Sequence, residues 1–560
     1  MTVDNKTLQK EIIPVKYFNM EKVTVSGFCD FCKKNIPLII AVSAMLFFAY
    51  GIRLFWYSIG IDTESFMADK SGNLEWSASI GRFGYVLLSK FLYSKEFNPF
   101  TAFFIAFCLI WFFTISWCYI IAIFSRDTGR NNKLIPFALV LMTMPIWAEQ
   151  FYFLMQAAEN AIIISLCPYV IYLLYKGFLD NEKGKIVCAF ILLVFMTSVY
   201  QAIVPMFCCG LFICFVLFQE HSNYESYIYR NLCLKLLILL IGAVAVYFII
   251  DKAIIPAIFH IKNSDYMDSM NQWFQRSAGE NIIRVFAFGY SITVGKIPFI
   301  ANIVNPVVAQ NMSEQLAMRM ATISLVAGNV LLLPGAILFL IQLTVVARKT
   351  IPKNRRVLFI FAGVNIPISI MYLTAAGGAA TPMRSLYVLP LALAFMLFYL
   401  IMHYKKKAAV VVSCLVLLTA VYQAQITAQL FYSDHIRYNE DVRFAYELDK
   451  LITRVQPVSE KLPVVLAGEY KAAPRFQSNF LQGEVIGHSF FEWDLHLPNN
   501  PTSRGLLFMK SLGIHFDMPD DRQLEQALTE SVMMPPYPDP DCVKRMDDFI
   551  VVRISETLYW

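Results

Sequence analysis

The sequence predicts an all-α polytopic membrane protein of about eleven transmembrane helices, followed by a small C-terminal α/β extracytoplasmic domain. Three observations carry this expectation. Of the 560 residues 57% are hydrophobic and only 16% charged, with a mean hydropathy of +0.54, well outside the soluble range. The apolar residues gather into stretches long enough to cross a bilayer, which needs roughly 17 to 25 residues. The basic residues gather in short clusters between those stretches, so the net charge of +6 speaks of membrane topology and not of nucleic acid.

In chain order, residues 1–35 are polar and mixed in charge, which suits a cytoplasmic N-terminal segment with no cleavable signal peptide. Spans are then expected near 36–57, 99–124, 134–149, 152–175, 186–201, 203–218, 232–250, 321–346, 357–375, 383–402 and 408–430. The first doubles as a signal anchor. Lys33 and Lys34 precede it, while Arg126, Arg130 and Lys133 follow the second span and Lys176, Lys183 and Lys185 the fourth. Arg348, Lys349, Lys353, Arg355 and Arg356 follow the eighth, and Lys405 to Lys407 the tenth. With an odd number of crossings all these clusters fall on one side, which the positive-inside rule makes cytoplasmic. The C-terminal region is then extracytoplasmic. Most of the 12 cysteines lie in or beside apolar stretches, and "CDFC" (Cys29, Cys32) lacks the second pair or histidines that a zinc site needs.

On the outer face, the first loop (58–98) opens with Asp62, Glu64 and Asp69 and continues with Trp76, Ile80, Phe83, Leu87 and Phe91 at spacings of three and four. That stripe predicts one amphipathic helix in the membrane interface, with Arg82 and Lys90 off the stripe. "PIWAEQFYFLMQAAENAIIISL" puts Glu149 and Gln150 at an outer turn, then Gln156, Glu159 and Asn160 on one helix face. Such groups line a cavity or bond one another across helices. "SVYQAIVP" places Tyr200 and Gln201 at another outer turn, where capping and substrate contact fit equally. In "AAGGAATPMRSLYVLP", Thr381 suits an N-cap, Pro382 the first helical position and Arg384 the first turn, which would make an anion site. The outer segment 251–320 carries Asp251, Lys252, Asp265, Asp268, Trp273, Arg276 and Lys296, as surface helices around a groove would.

Residues 431–560 change composition and read as a separate extracytoplasmic domain, helical near 439–455, 503–512 and 521–533 and extended at 463–467 and 548–554. In "GHSFFEWDLHLPNN", His488, Phe490, Trp493, Asp494 and His496 suit either a saccharide contact or a packing loop.

The acidic loop after the first span, then "GRFGYVLLSKF", "QAAEN", "SVYQA" and "RSLYVLP" in that order, resembles the serotype-converting, Gtr-type O-antigen glucosyltransferases of the GT-C class over roughly 36–430. The resemblance implies a bacterial inner-membrane hexosyltransferase that takes glucose from a polyprenyl-phosphate donor and passes it to a glycan or lipid-linked acceptor such as O-antigen. It implies a catalytic carboxylate at Asp62 or Glu64. A carboxylate can take the proton of an attacking hydroxyl. Fixed cations, Arg384 and Arg82, would face the leaving phosphate, and Gln156, Glu159, Asn160, Tyr200 and Gln201 would line the substrate. No cofactor is certain, although Asp62 and Glu64 could hold a divalent cation beside the phosphate. Two other classes fit a polytopic chain: a transporter or flippase of lipid-linked saccharide, with polar groups near mid-membrane, and an O-antigen polymerase or ligase, with its arginines in late outer loops.

Overall fold

A computed structural model describes residues 21–259, 264, 271–294, 328–378, 381–456, 462–471, 480–493 and 502–558. Helix α1 (Val25–Lys34) is capped by the Thr24 side chain and leads into α2 (Ile36–Phe55). Three short helices follow: α3 (Thr63–Ala68), α4 (Lys70–Ser79) and α5 (Phe83–Leu92). The interfacial stripe is thus carried by two helices and not one. Gly81 breaks it with φ +81°, and a side chain there would meet the Tyr247 hydroxyl and the Asp251 carboxylate. The stripe reads straight through because its three-and-four spacing survives a single left-handed residue.

Asn98 caps α6 (Pro99–Phe124) by accepting from the Thr101 N–H, with proline at the first position where its missing N–H costs nothing. Next, α7 (Leu134–Thr143) and α8 (Ile146–Tyr152) form a pair bent by 46° at Met144 and Pro145, since proline cannot continue the hydrogen-bond ladder. Glu149 and Gln150, expected at a turn, lie buried inside α8. Then come α9 (Leu154–Leu179), α10 (Lys183–Val199), α11 (Ile203–His221) and α12 (Ser226–Ile249), the last running through a π-helical turn (Ile250–Ile254) into α13 (Ile255–Phe259).

Beyond them lie α14 (Ala278–Val294), α15 (Gly328–Lys349), α16 (Arg356–Ile368), α17 (Tyr372–Gly377) and α18 (Val388–His403). Of the expected surface segment, Asp265, Asp268 and Lys296 lie outside the described residues, while Trp273 donates to the Ala375 carbonyl at 2.8 Å.

Among the described residues eight helices are long and apolar enough to cross a membrane, nine with the bent pair. The other two stretches expected to span are also helical but shorter: α10 has 17 residues and α18 has 16. The last helix of the bundle, α19 (Lys406–Val455), is unbroken for 50 residues. It crosses the boundary expected at 430, and the helix read at 439–455 is its final third.

Asn35 Nδ2 donates to the Gly129 carbonyl, and the Asn131 N–H donates back to Asn35 Oδ1. This joins the start of α2 to the loop carrying Arg126 and Arg130, at the opposite end of α2 from Asp62.

The C-terminal part holds β1 (Val464–Ala467), α20 (Thr502–Ser511), α21 (Asp521–Ser531), β2 (Val543–Arg545) and β3 (Ile550–Arg553). The strand order is β1-β3-β2, with β1 parallel to β3 (Val464 opposite Ile550) and β2 antiparallel to it (Val543 opposite Val552). A capping box between Asp520 and Gln523 starts α21.

Candidate active site

The chain from Phe55 to α3 carries the acidic loop, and its backbone is pinned on both sides. Gly60 packs so closely on Tyr152 that a Cβ would lie 2.8 Å from the ring and from the Tyr152 carbonyl. The Ile59 carbonyl accepts from Arg437 Nη2 at 2.8 Å, and the Ile61 N–H donates to the Tyr152 hydroxyl at 3.2 Å. Arg437 also pairs with Asp434, and with Asp441 at 3.2 Å, while Asp434 accepts from Arg53 and Ser58, each at 2.8 Å. Arg437, Asp434, Asp441 and Arg53 are all buried, so each charge needs its partner. Held this way, Asp62 adopts φ +71°. A left-handed non-glycine residue is costly and persists where the surroundings over-determine it.

Two residues on, Glu64 is fully buried. Burial pushes its carboxyl up to about 7, with the negative Asp62 adding to the rise and the Arg504 guanidinium opposing it. Arg504, from α20, spans both acids: Nη1 donates to Glu64 Oε1 at 2.5 Å and Nη2 to Asp62 Oδ1 at 3.1 Å. The Asp62 side chain remains 42% exposed. It faces a cavity of about 350 Å³ lined also by Asn73, Trp76, Ser77, Arg82 and Gln156. The two carboxylates are therefore unequal: Asp62 can reach a substrate hydroxyl, whereas Glu64 is enclosed.

Arg82 sits at the break between α4 and α5. Tyr247 donates to the Gly81 carbonyl at 3.2 Å and accepts from Gln201 at 2.8 Å, so Gln201 braces this break. The Arg82 guanidinium lies 4.8 Å from the Tyr200 ring centroid, and its Nε is buried without a hydrogen-bond partner. Among the described residues no carboxylate is within ion-pair distance of it. Tyr200 bonds Ser385 at 2.8 Å, and its ring lies 5.5 Å from that of Tyr387. The buried Tyr387 hydroxyl also lacks a partner among the described residues, and the charges of Arg82 and Arg384 both act on it. Arg384 itself lies 4.6 Å over the Phe153 ring. An unpaired cation and an unpaired hydroxyl, with a second cation close by, make a setting suited to an anion.

The expected helix amino terminus at Arg384 is absent. Met383–Ser385 form one 3₁₀ turn, α18 begins at Val388, and the Thr381 hydroxyl bonds Thr374 at 2.6 Å instead of capping. Pro382 accordingly precedes the turn in extended backbone. Of the polar face on α9, Gln156 lines the Asp62 cavity, whereas Glu159 and Asn160 are buried, Glu159 against Ser89 of α5.

A divalent ion does not suit this set. Among the described residues no group of three or more His, Cys, Asp or Glu converges, and the position that an ion shared by Asp62 and Glu64 would need is held by Arg504. Cys29 and Cys32 are free thiols. In the C-terminal loop, Phe490 stacks on Phe508 at 4.1 Å and carries the Arg437 guanidinium 4.9 Å from its ring centroid, and His488 bonds Glu492 at 2.7 Å, which is packing. Asp494 and His496 lie outside the described residues.

Sequence reasoning missed Arg504, Tyr387 and the Arg437 network. Asp434, Arg437 and Asp441 stand at one-face spacing on a helix and could have been found; the lone arginine of "TSRGLL" carries no signal.

Comparison with curated proteins and with solved structures gave no match. The family model described as glucosyl transferase GtrII matches residues 51–401, a range that holds Asp62, Glu64, Arg82, Gln156, Tyr200 and Arg384 and ends before Arg437 and Arg504. That match covers more than half of the 560 residues, and the chain belongs to the GtrII glucosyl transferase family.

Proposed function

We propose that this glycosyltransferase moves a glucose from a polyprenyl-phosphate donor to a cell-surface glycan such as O-antigen, on the outer face of the bacterial cytoplasmic membrane. The observation that carries the proposal is the cavity in which the accessible carboxylate Asp62 meets Arg82 and Gln156. Asp62 is the general base: it takes the proton of the acceptor hydroxyl as that oxygen attacks the anomeric carbon. The bond from that carbon to the phosphate oxygen breaks, and the charge left on the lipid phosphate is met by Arg82, with Arg384 and the Tyr387 hydroxyl beside it. Glu64 supports Asp62 through their shared guanidinium. Gln156 and Tyr200 contact substrate, while Gln201, Glu159 and Asn160 act through the packing that holds the site.

The outer location is supported by the basic clusters, which gather at the other end of α2 from Asp62. The same sidedness supports reading residues 431–560 as extracytoplasmic, in keeping with a GT-C-type layout.

Purified protein supplied with polyprenyl-phosphate glucose and a lipid-linked glycan acceptor should transfer glucose, and Asp62→Asn should abolish transfer without loss of folded protein. A half-exposed acid contributes little to stability, so the variant reads chemistry. Turnover above about a tenth of wild type in Asp62→Asn would remove Asp62 from the base role. Movement of an intact lipid-linked saccharide across vesicles, with no transfer, would favour a flippase.

A further inference from the structure

The family match ends at residue 401, yet the chain beyond it touches the site from two directions. From α20, Arg504 bridges Glu64 at 2.5 Å and Asp62 at 3.1 Å. From the loop before Gly487, Glu484 Oε2 accepts the N–H of Met383 at 2.5 Å, next to Arg384. That loop is itself seated on the bundle: Glu149 of α8 accepts the N–H groups of Glu484 at 2.5 Å and Val485 at 3.1 Å, and the Leu481 N–H donates to Ser433 at 2.7 Å.

We infer that Arg504 is a positioning residue of the transfer reaction, its guanidinium tying Asp62 to Glu64 so that the C-terminal region forms part of the catalytic centre. The inference rests on the reading of Asp62 as base. Two carboxylates this close repel, and one of them is enclosed. Without a cation between them the pair takes up a proton and Asp62 loses its fixed direction. A guanidinium is suited to the task because its planar fork offers one N–H to each acid, which an ammonium cannot copy at the same two positions. Arg504 is mostly enclosed, its side chain 14% exposed, so its charge acts with little screening by water. Among the described residues, the charged groups facing Glu64 are Arg504 from α20 and Asp62 from the loop before α3.

The sign of the pH effect follows. Arg504 stabilises the ionised acids, so its removal raises the pH at which the pair ionises. In full-length protein, Arg504→Gln should lower kcat on the order of thirtyfold or more with little change in donor KM, and should move the acid limb of kcat/KM upward by about one pH unit. Arg504→Lys should recover part of the rate and most of the pH shift. Lys510→Gln, on the exposed side of the same helix, should behave as wild type.

A wild-type kcat and acid limb in Arg504→Gln, beside an inactive Asp62→Asn, overturns this inference alone. If Arg504→Gln fails to give folded protein, Arg504→Lys decides: a wild-type kcat in that variant overturns it. Activity in Asp62→Asn removes the base reading and this inference with it.

Discussion

Arg437 Nη2 donates to the carbonyl oxygen of Ile59 at 2.8 Å, so a guanidinium far along α19 holds the backbone three residues before Asp62. The same side chain neutralises Asp434 and Asp441 inside the protein. Arg437→Leu would leave those two acids enclosed, and breaking a buried pair costs about 3 to 5 kcal/mol. Arg53 still pairs with Asp434 at 2.8 Å, which puts the expected loss toward the lower end. Thermal unfolding of the purified protein should fall by several degrees, and adding Asp441→Asn should restore part of the loss. An unchanged unfolding temperature in Arg437→Leu would show that the network carries no stability.

This network also shows what could be read in advance. The apolar stretches became helices because length and 3.6-residue periodicity leave a lipid-embedded backbone no alternative, and caps such as Asn98 with Pro99 act within one turn. The boundary expected at 430, where polar residues appear, falls inside an unbroken helix in which Asp434, Arg437 and Asp441 satisfy one another. The break at Gly81 was hidden because the apolar stripe keeps its spacing across it. Arg384 was misread as a first-turn residue because Pro382 suits both a helix start and the extended residue before a turn. Arg504 depends on a contact across 440 residues of sequence, and no local pattern announces that.

Stability should depend on pH through Glu64. Its carboxyl is raised from 4.5 to about 7 by burial, so between those values the folded state holds a proton that the unfolded state has released. Stability is therefore full below about 4.5, declines as pH rises toward 7 and levels off above it. Glu64→Gln cannot titrate and should flatten that decline. Unfolding followed from pH 4 to 8 tests this, and equal slopes in the two proteins would exclude Glu64 as the source.

Sidedness is open to direct measurement. In a background without the 12 native cysteines, a cysteine at Lys510 should react with an impermeant maleimide applied from outside the cytoplasmic membrane, and one at Arg130 should not. Both positions are exposed, so access depends on the side alone. Reaction at Arg130 from outside would invert the orientation and remove a lipid-linked outer-face donor from the mechanism.

Arg384 is expected to bind the donor phosphate, although for a reason other than a helix dipole. It lies over the Phe153 ring at 4.6 Å, and its charge acts with that of Arg82 on the Tyr387 hydroxyl, so two cations and a hydroxyl face one region. An arginine at a membrane surface also serves to reach lipid headgroups, a role worth little to turnover. The two roles separate under conservative change. Lysine keeps the charge and the reach, but it loses the planar fork that pairs two phosphate oxygens and stacks less well on an aromatic face. Arg384→Lys should therefore lose activity on the order of tenfold, equivalent to about 1.4 kcal/mol of transition-state stabilisation. Tyr387→Phe should lose less, because a neutral hydroxyl gives a weaker hydrogen bond to phosphate than a guanidinium does. Near-normal kinetics and unchanged donor affinity in Arg384→Lys would return Arg384 to the headgroup role and leave Arg82 as the phosphate's partner.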